Sequence, residues 1–335
     1  MQKFTRYLAF GAAALALGAS TAADAKLKRI TIGLNRQGSV FFLLASGFAK
    51  ELQQQLKIKA TAQPHAGSSV YIPLMDNGEI TMGINNSMNF GAAVRGKAPF
   101  RSKNTNFRAI ARVWIIPYGF LVKASSNIHS TADLKGKKVV TNIKPIVSLL
   151  ALNNSLLAGA GLSISDITAM SSGGIVKNIN MVVEGRVDAP TAAIVMPVVR
   201  KAHAASGVRF ISVGANTTDM TLANDAPGSR VHVQKPSKRY PFITKTTKLI
   251  VFDSYLNAGK SVDNEDAYDF ARVLHTQWKK LKKAYGPLRG MPQNAIAPSG
   301  NPHLYHAGAV KYYKGAGVWT AANAKQQAKI AKELK

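Results

Sequence analysis

Chemistry in this chain begins with short polar loops, because the usual catalytic groups are missing or isolated. There is no cysteine among the 335 residues, so thiol nucleophiles and Cys-ligated metals are excluded. His303 and His306 stand three apart with no third histidine and no carboxylate-rich neighbour. A zinc site needs three or four ligands, so these two read as surface or capping histidines. The stretch from Gly91 to Lys97 copies most of a phosphate-binding loop. It fails at Ala98, where a magnesium-binding hydroxyl belongs, and Pro99 stops the helix that would have to follow. No nucleophile paired with a base is found. No catalytic residue, cofactor or metal is expected.

The remaining chemistry is hydrogen bonding from loop residues. Gln37, Gly38 and Ser39 lie between a β-branched run (Ile30, Thr31, Ile32) and an apolar helical face (Phe41, Leu44, Ala45, Phe48, Leu52). A strand that ends in an open loop before a helix leaves backbone N–H groups free to meet an anion. Similar donors follow later strands: Ser68, then Asn86 and Ser87, then Lys144 and Ser148, and finally Thr191 beyond Asp188. Phe41 and Tyr118 are read as apolar walls. Each serine or asparagine serves equally well as a helix cap or turn former. Lys144 is the one charged group of its loop able to pair with a carboxylate; Asp188 reads as structural. Donors with few acids suit a small organic anion.

The elements that position these loops form a repeated pattern. Strand, loop, helix, strand, small-residue loop, helix, glycine turn and strand occur from Ile30 to Ile84 and again from Lys138 to Ile194. NGEITMGI from Asn77 matches EGRVDAPT from Glu184 in pattern rather than in residues. Between the copies, Phe107 to Lys123 is an apolar extended run, expected to break at Pro117 because proline disrupts a regular central strand. Leu249 to Leu256 reads as a return crossing. Asn216 to Lys248 reads as irregular, Asp263 to Tyr285 as one helix capped by Asp263, and the chain beyond His303 as largely helical. The expected fold is α/β, a two-lobed arrangement in which each lobe is a mostly parallel sheet flanked by helices. Residues 26–116 with 250–335 form lobe one and 117–249 form lobe two, hinged by the crossing strands. Ligands of such sheets sit beyond the carboxyl ends of the strands.

Residues 1–25 read as an export signal: Lys3 and Arg6 lead an apolar run from Leu8 to Ala19, followed by Ala23-Asp24-Ala25. The mature chain is expected to start at Lys26, in a periplasm. The formal charge is +28, which attracts anions. The basic residues are spread along the chain, so no nucleic-acid partner is expected. The densest group, Lys279 to Lys283, reads as a solvated helix face.

Four segments carry a family resemblance. ADLKGKKVV (Ala132 to Val140) looks like the start of the second lobe in type II periplasmic solute-binding proteins. GRVDAPTAAIVMP (Gly185 to Pro197), HAGAVKYYKGAGVW (His306 to Trp319) and GSVFF (Gly38 to Phe42) are similar to segments of the TAXI family of TRAP-transporter receptors. The resemblance implies a solute receptor without enzymatic activity. It would bind a small anionic solute, a carboxylate such as an amino acid or dicarboxylate, serve the membrane permease of a TRAP transporter, and act as a monomer. The chain departs from the family pattern where Asn35, Arg36 and Gln37 replace glycines, where Phe41-Phe42 replace tyrosines, and where Lys144 to Ser148 lack glycine. A sensor-input protein and a secreted enzyme on the same scaffold are the alternatives.

Overall fold

Ile30, Ile32 and Leu34 are wholly buried, and the alternation they set produces the first strand. The computed structural model describes residues 26–35, 37, 39–144 and 146–334. It begins β1 (Arg29–Leu34), α1 (Val40–Leu56), β2 (Lys59–Pro64), α2 (Ser68–Asn77), β3 (Met82–Asn86) and α3 (Ser87–Arg95), then enters the long β4 (Arg108–Lys123). The second copy follows as β5 (Lys138–Ile143), α4 (Ser148–Ala158), β6 (Thr168–Ser172), α5 (Ile175–Val183) and β7 (Thr191–Ala193). Next come α6 (Pro197–Ser206), β8 (Val208–Phe210), α7 (Asp219–Asp225), β9 (Ser229–Gln234) and β10 (Thr247–Ala258). The chain ends with α8 (Asn264–Thr276), α9 (Trp278–Ala284), α10 (Ala307–Gly315) and α11 (Ala321–Glu333).

In the first lobe the sheet runs β2-β1-β3-β10-β4. The first three strands are parallel, and β10 is antiparallel to β3 and β4. In the second lobe β5 and β6 are parallel, and a parallel bridge from Val139 to Ala189 leads toward β7. β7 and β8 pair antiparallel with the far half of β4, and β9 with the first half of β10. Thus β4 and β10, 16 and 12 residues long, run through both lobes. The two copies share a glycine device: Gly78 after α2 and Gly185 after α5 both have positive φ, 89° and 72°. L side chains rarely adopt that backbone.

Four expectations are corrected. β4 is not broken at Pro117. Pro117 stands opposite Val251 of β10, and its carbonyl accepts from the Ile194 amide (3.0 Å) on the other side. A strand residue's N–H and C=O point the same way, so the missing N–H falls just past the last β7 pair, Tyr118 with Ala193, and breaks no bond to β10. Residues 216–248 are irregular only in part: α7 starts at a Thr218 cap that accepts from the Thr221 amide (3.2 Å), β9 is an edge strand organised by β10 rather than by its own apolar alternation, and residues 235–246 between β9 and β10 are irregular as expected. The helix expected from Asp263 to Tyr285 divides at Gln277 (φ −88°, ψ 5°), where Thr276 Oγ1 bonds back to the Arg272 carbonyl (2.8 Å). Asp263 does cap it, accepting from the Asp266 amide (2.8 Å). His303 is not on the surface: it is wholly buried beside Phe90, Phe107 and Tyr255. His306 is a cap, its Nδ1 accepting from Gly308 N (3.3 Å).

The segment that imitates a phosphate loop lies in α3, whose end is Gly96 at φ 62°. Among the described residues no helix is long and apolar enough to cross a membrane. Residues 1–25, where the export signal is expected, lie outside those described.

Candidate functional site

Five helices start where parallel strands end, and they differ in how their first N–H groups are used. Two are capped by side chains: Ser39 Oγ accepts from Phe42 N (3.2 Å) at α1, and Asn86 Oδ1 accepts from Asn89 N (2.9 Å) at α3. Three have no side-chain cap: α2 follows Gly67, α4 follows Val147 and α5 follows Gly174. Gly67 and Gly174 have extended backbone, φ 178° and 169°, and occupy corresponding places in the two copies of the repeat. A Cβ at either would meet nothing within 4 Å. One uncapped terminus thus belongs to each lobe with open space before it, and a helix N-terminus carries about half a positive charge. No Asp or Glu occurs in the loops 35–39, 65–69, 86–88, 144–148 or 171–174.

Unspent polar atoms lie near these loops. Trp114 is 7% exposed, its indole N–H has no partner among the described residues, and Phe41 meets its ring edge-on at 5.9 Å. The Ser148 hydroxyl at the start of α4 and His65 Nε2 before α2 are likewise buried without partners among the described residues. Burial lowers the pKa of His65, which favours the neutral ring. A buried polar atom without a partner is costly. The Ser148 hydroxyl and His65 Nε2 stand at uncapped helix starts and the Trp114 N–H beside the capped α1, so the indole N–H and the serine hydroxyl suit an acceptor-rich ligand.

Ser39 and Phe41 are half-buried at the start of α1, while Gln37 is exposed in the turn before it. Ser68 is half-buried as the first residue of α2. Lys144 is exposed, and its amide donates to the Ser172 carbonyl (3.0 Å). Gly38 lies outside the described residues. Four others are committed internally. Asn86 is a helix cap. Ser87 is 1% exposed and donates to the Gly228 carbonyl (2.9 Å). Tyr118, expected as a cleft wall, is 1% exposed; its hydroxyl donates to Thr191 Oγ1 (2.6 Å) and lies 3.1 Å from Asn153 Oδ1. Burial drives that hydroxyl's pKa up, with the two partners offsetting part of the effect. Thr191 is wholly buried. These four brace the loops from behind.

Trp114 is not legible as a site residue from the sequence, where it is only an indole inside an apolar run. The ion cluster on the crossing strands is not legible there either. Asp253, 2% exposed, receives Arg112 (3.2 Å) from β4 and both terminal nitrogens of Arg230 (3.0 and 3.2 Å) from β9. Arg112 also donates to the Ala295 carbonyl (2.6 Å). This cluster ties β4, β9 and β10 together.

A two-lobed α/β body with crossing strands and helix starts at the strand tips has the fold of periplasmic binding proteins. The match to the NMT1-like family covers residues 32–317, and the chain belongs to that family. It is similar in fold to PhnD1 of Prochlorococcus marinus, solved in complex with methylphosphonate (14% identity, TM-score 0.54, covering 87% of this chain and 97% of that one). It is also similar to MatC of Rhodopseudomonas palustris, solved with bound malate (15% identity, TM-score 0.51, 90% and 99%). A third similar fold is the periplasmic binding protein BugD (12% identity, TM-score 0.53, 91% and 95%).

Proposed function

We propose that this chain is an exported solute receptor that captures a small carboxylate-bearing anion between its lobes and delivers it to a membrane permease. The observation that carries the reading is the matched pair of uncapped, glycine-preceded helix starts, α2 from one lobe and α5 from the other, in loops without acids. The ligand's charged group is assigned to those amides and to Ser68 and Ser148. Gln37, Ser39 and Lys144 add donors from the loops, and Phe41 with Trp114 supports an apolar flank. Contacts from both lobes stabilise the closed arrangement, which is the thermodynamic basis of closure. The protein binds and releases its solute unchanged.

The lobes are assigned as 26–116 with 250–335, and 117–249. The finer kinship with TAXI receptors rests on the three segments similar to that family and assigns the partner as a TRAP-type permease, energised by an ion gradient. The bound malate of MatC and methylphosphonate of PhnD1 are small anions on the same fold and agree with the charge of the ligand proposed here. The test is calorimetric titration with mono- and dicarboxylates, then Gly67→Ala and Gly174→Ala with the acid that saturates the wild type. Added methyl groups should obstruct the approach to the amides and weaken binding about tenfold or more, ~1.4 kcal/mol. Unchanged affinity in both variants counts against this placement.

A further inference from the structure

Away from the strand tips, α9 and the segment after it enclose a groove of about 420 Å³, lined by Trp278, Lys279, Lys282, Lys283, Arg289 and Gln293. That volume lies within the range of small-ligand sites. Part of its frame is fixed. Trp278 Nε1 donates to the Met291 carbonyl (3.1 Å), and Gln293 Nε2 to the His275 carbonyl (2.8 Å).

Its charge is unbalanced. None of Lys279, Lys282, Lys283 and Arg289 makes an ion pair among the described residues, and no acid lines the groove. The neighbouring depression differs: Lys280 points there and pairs with Glu51 (2.7 Å). The spacing of Lys279 to Lys282 and Lys283 puts like charges on adjacent helical positions, an arrangement that repels. Arg239, from the segment after β9, brings a further cation near Gly290, the neighbour of Arg289. Its Nη1 lies 4.0 Å from where a Cβ on Gly290 would stand, and its guanidinium sits 5.3 Å from the Tyr240 ring centre. Arg200 donates to the Arg239 carbonyl, which ties that segment to α6.

We propose that this groove is a second anion site, separate from the cleft, for a soluble multivalent oxyanion of the di- or triphosphate class. Several negative oxygens offset several clustered cations at once, which a single carboxylate does not. The rim is open to solvent, so binding weakens steeply with salt.

The test is calorimetric titration of inorganic triphosphate into the mature protein at low ionic strength. Two charge-matched triple variants are compared, K279Q/K282Q/K283Q in the groove and K325Q/K329Q/K332Q on α11. The expected result is one saturable site per chain in the wild type and in the α11 variant, weakened about tenfold or more in the groove variant. Thermal unfolding confirms that both variants fold. Absence of a saturable site, or equal weakening in both variants, would overturn the proposal by reducing the effect to overall charge. Loss of binding to phosphatidylglycerol vesicles in the groove variant alone, without saturation by triphosphate, would put a membrane surface there and overturn it too.

Discussion

Ser39 and Ser148 both stand at helix starts, yet they are predicted to behave oppositely. Ser39 caps α1, so Ser39→Ala should cost about 1 kcal/mol of stability. Ser148 Oγ is buried without a partner among the described residues, so Ser148→Ala should leave stability unchanged or slightly raised while weakening ligand binding. Denaturant midpoints of the two variants, measured with and without ligand, check the split. His303 supplies a second prediction at this scale. Burial, with repulsion from Arg95 and Arg108, pushes its pKa down to about 3 from 6.5. The unfolded chain therefore binds a proton that the folded chain refuses, and stability is full above pH 6.5 and falls as pH drops from there toward 3. Burial lowers the pKa of His65, His275 and His306 as well, which adds in the same direction. Melting temperature should decline from pH 6.5 to 4.5, and His303→Leu should flatten that slope. An unchanged slope would assign the acid sensitivity elsewhere. The loops that carry donors were visible in the sequence because glycine, serine and asparagine follow β-branched runs. Which hydroxyls were already spent was not visible: Ser87 bonds to a carbonyl 141 positions away and Tyr118 to a threonine 73 away, and no local pattern encodes such pairings.

Among the elements, β1, α1 and the two βαβα copies follow from periodicity, since each side chain's burial there is set by its own strand or helix. β9 and the continuity of β4 through Pro117 were not legible. Both depend on what a neighbouring strand offers: β9 is organised by β10, and Pro117 is harmless because its missing donor faces the end of β7. The Asp253 cluster gives the prediction at this scale. Asp253→Asn leaves Arg112 buried with its charge uncompensated, which should cost about 3–5 kcal/mol. Urea unfolding would report it as a lower midpoint with an unchanged slope. A loss under about 1 kcal/mol would mean that the Ala295 carbonyl alone satisfies Arg112.

At the scale of the molecule, two lobes share β4 and β10, and the proposed ligand groups come from both. Solute binding should therefore contract the particle, seen as a smaller radius of gyration in solution scattering. Equal dimensions with and without bound solute would remove hinge closure from the account. The lobed architecture was readable because the repeat, the glycine turns and the two long apolar crossings lie in order along the chain. The solute's identity was not, since on the proposed reading specificity would rest on a few donors brought together from loops far apart in the sequence.

The central claim, capture of a small organic anion, is tested most directly by thermal unfolding of the mature protein against organic acids, amino acids and sugar acids. At a concentration about 100 times Kd a true ligand adds roughly 2.7 kcal/mol. The account predicts a clear rise in melting temperature with one class of carboxylate and none with neutral sugars. A flat response across all acids, or a rise with a neutral solute alone, would contradict it.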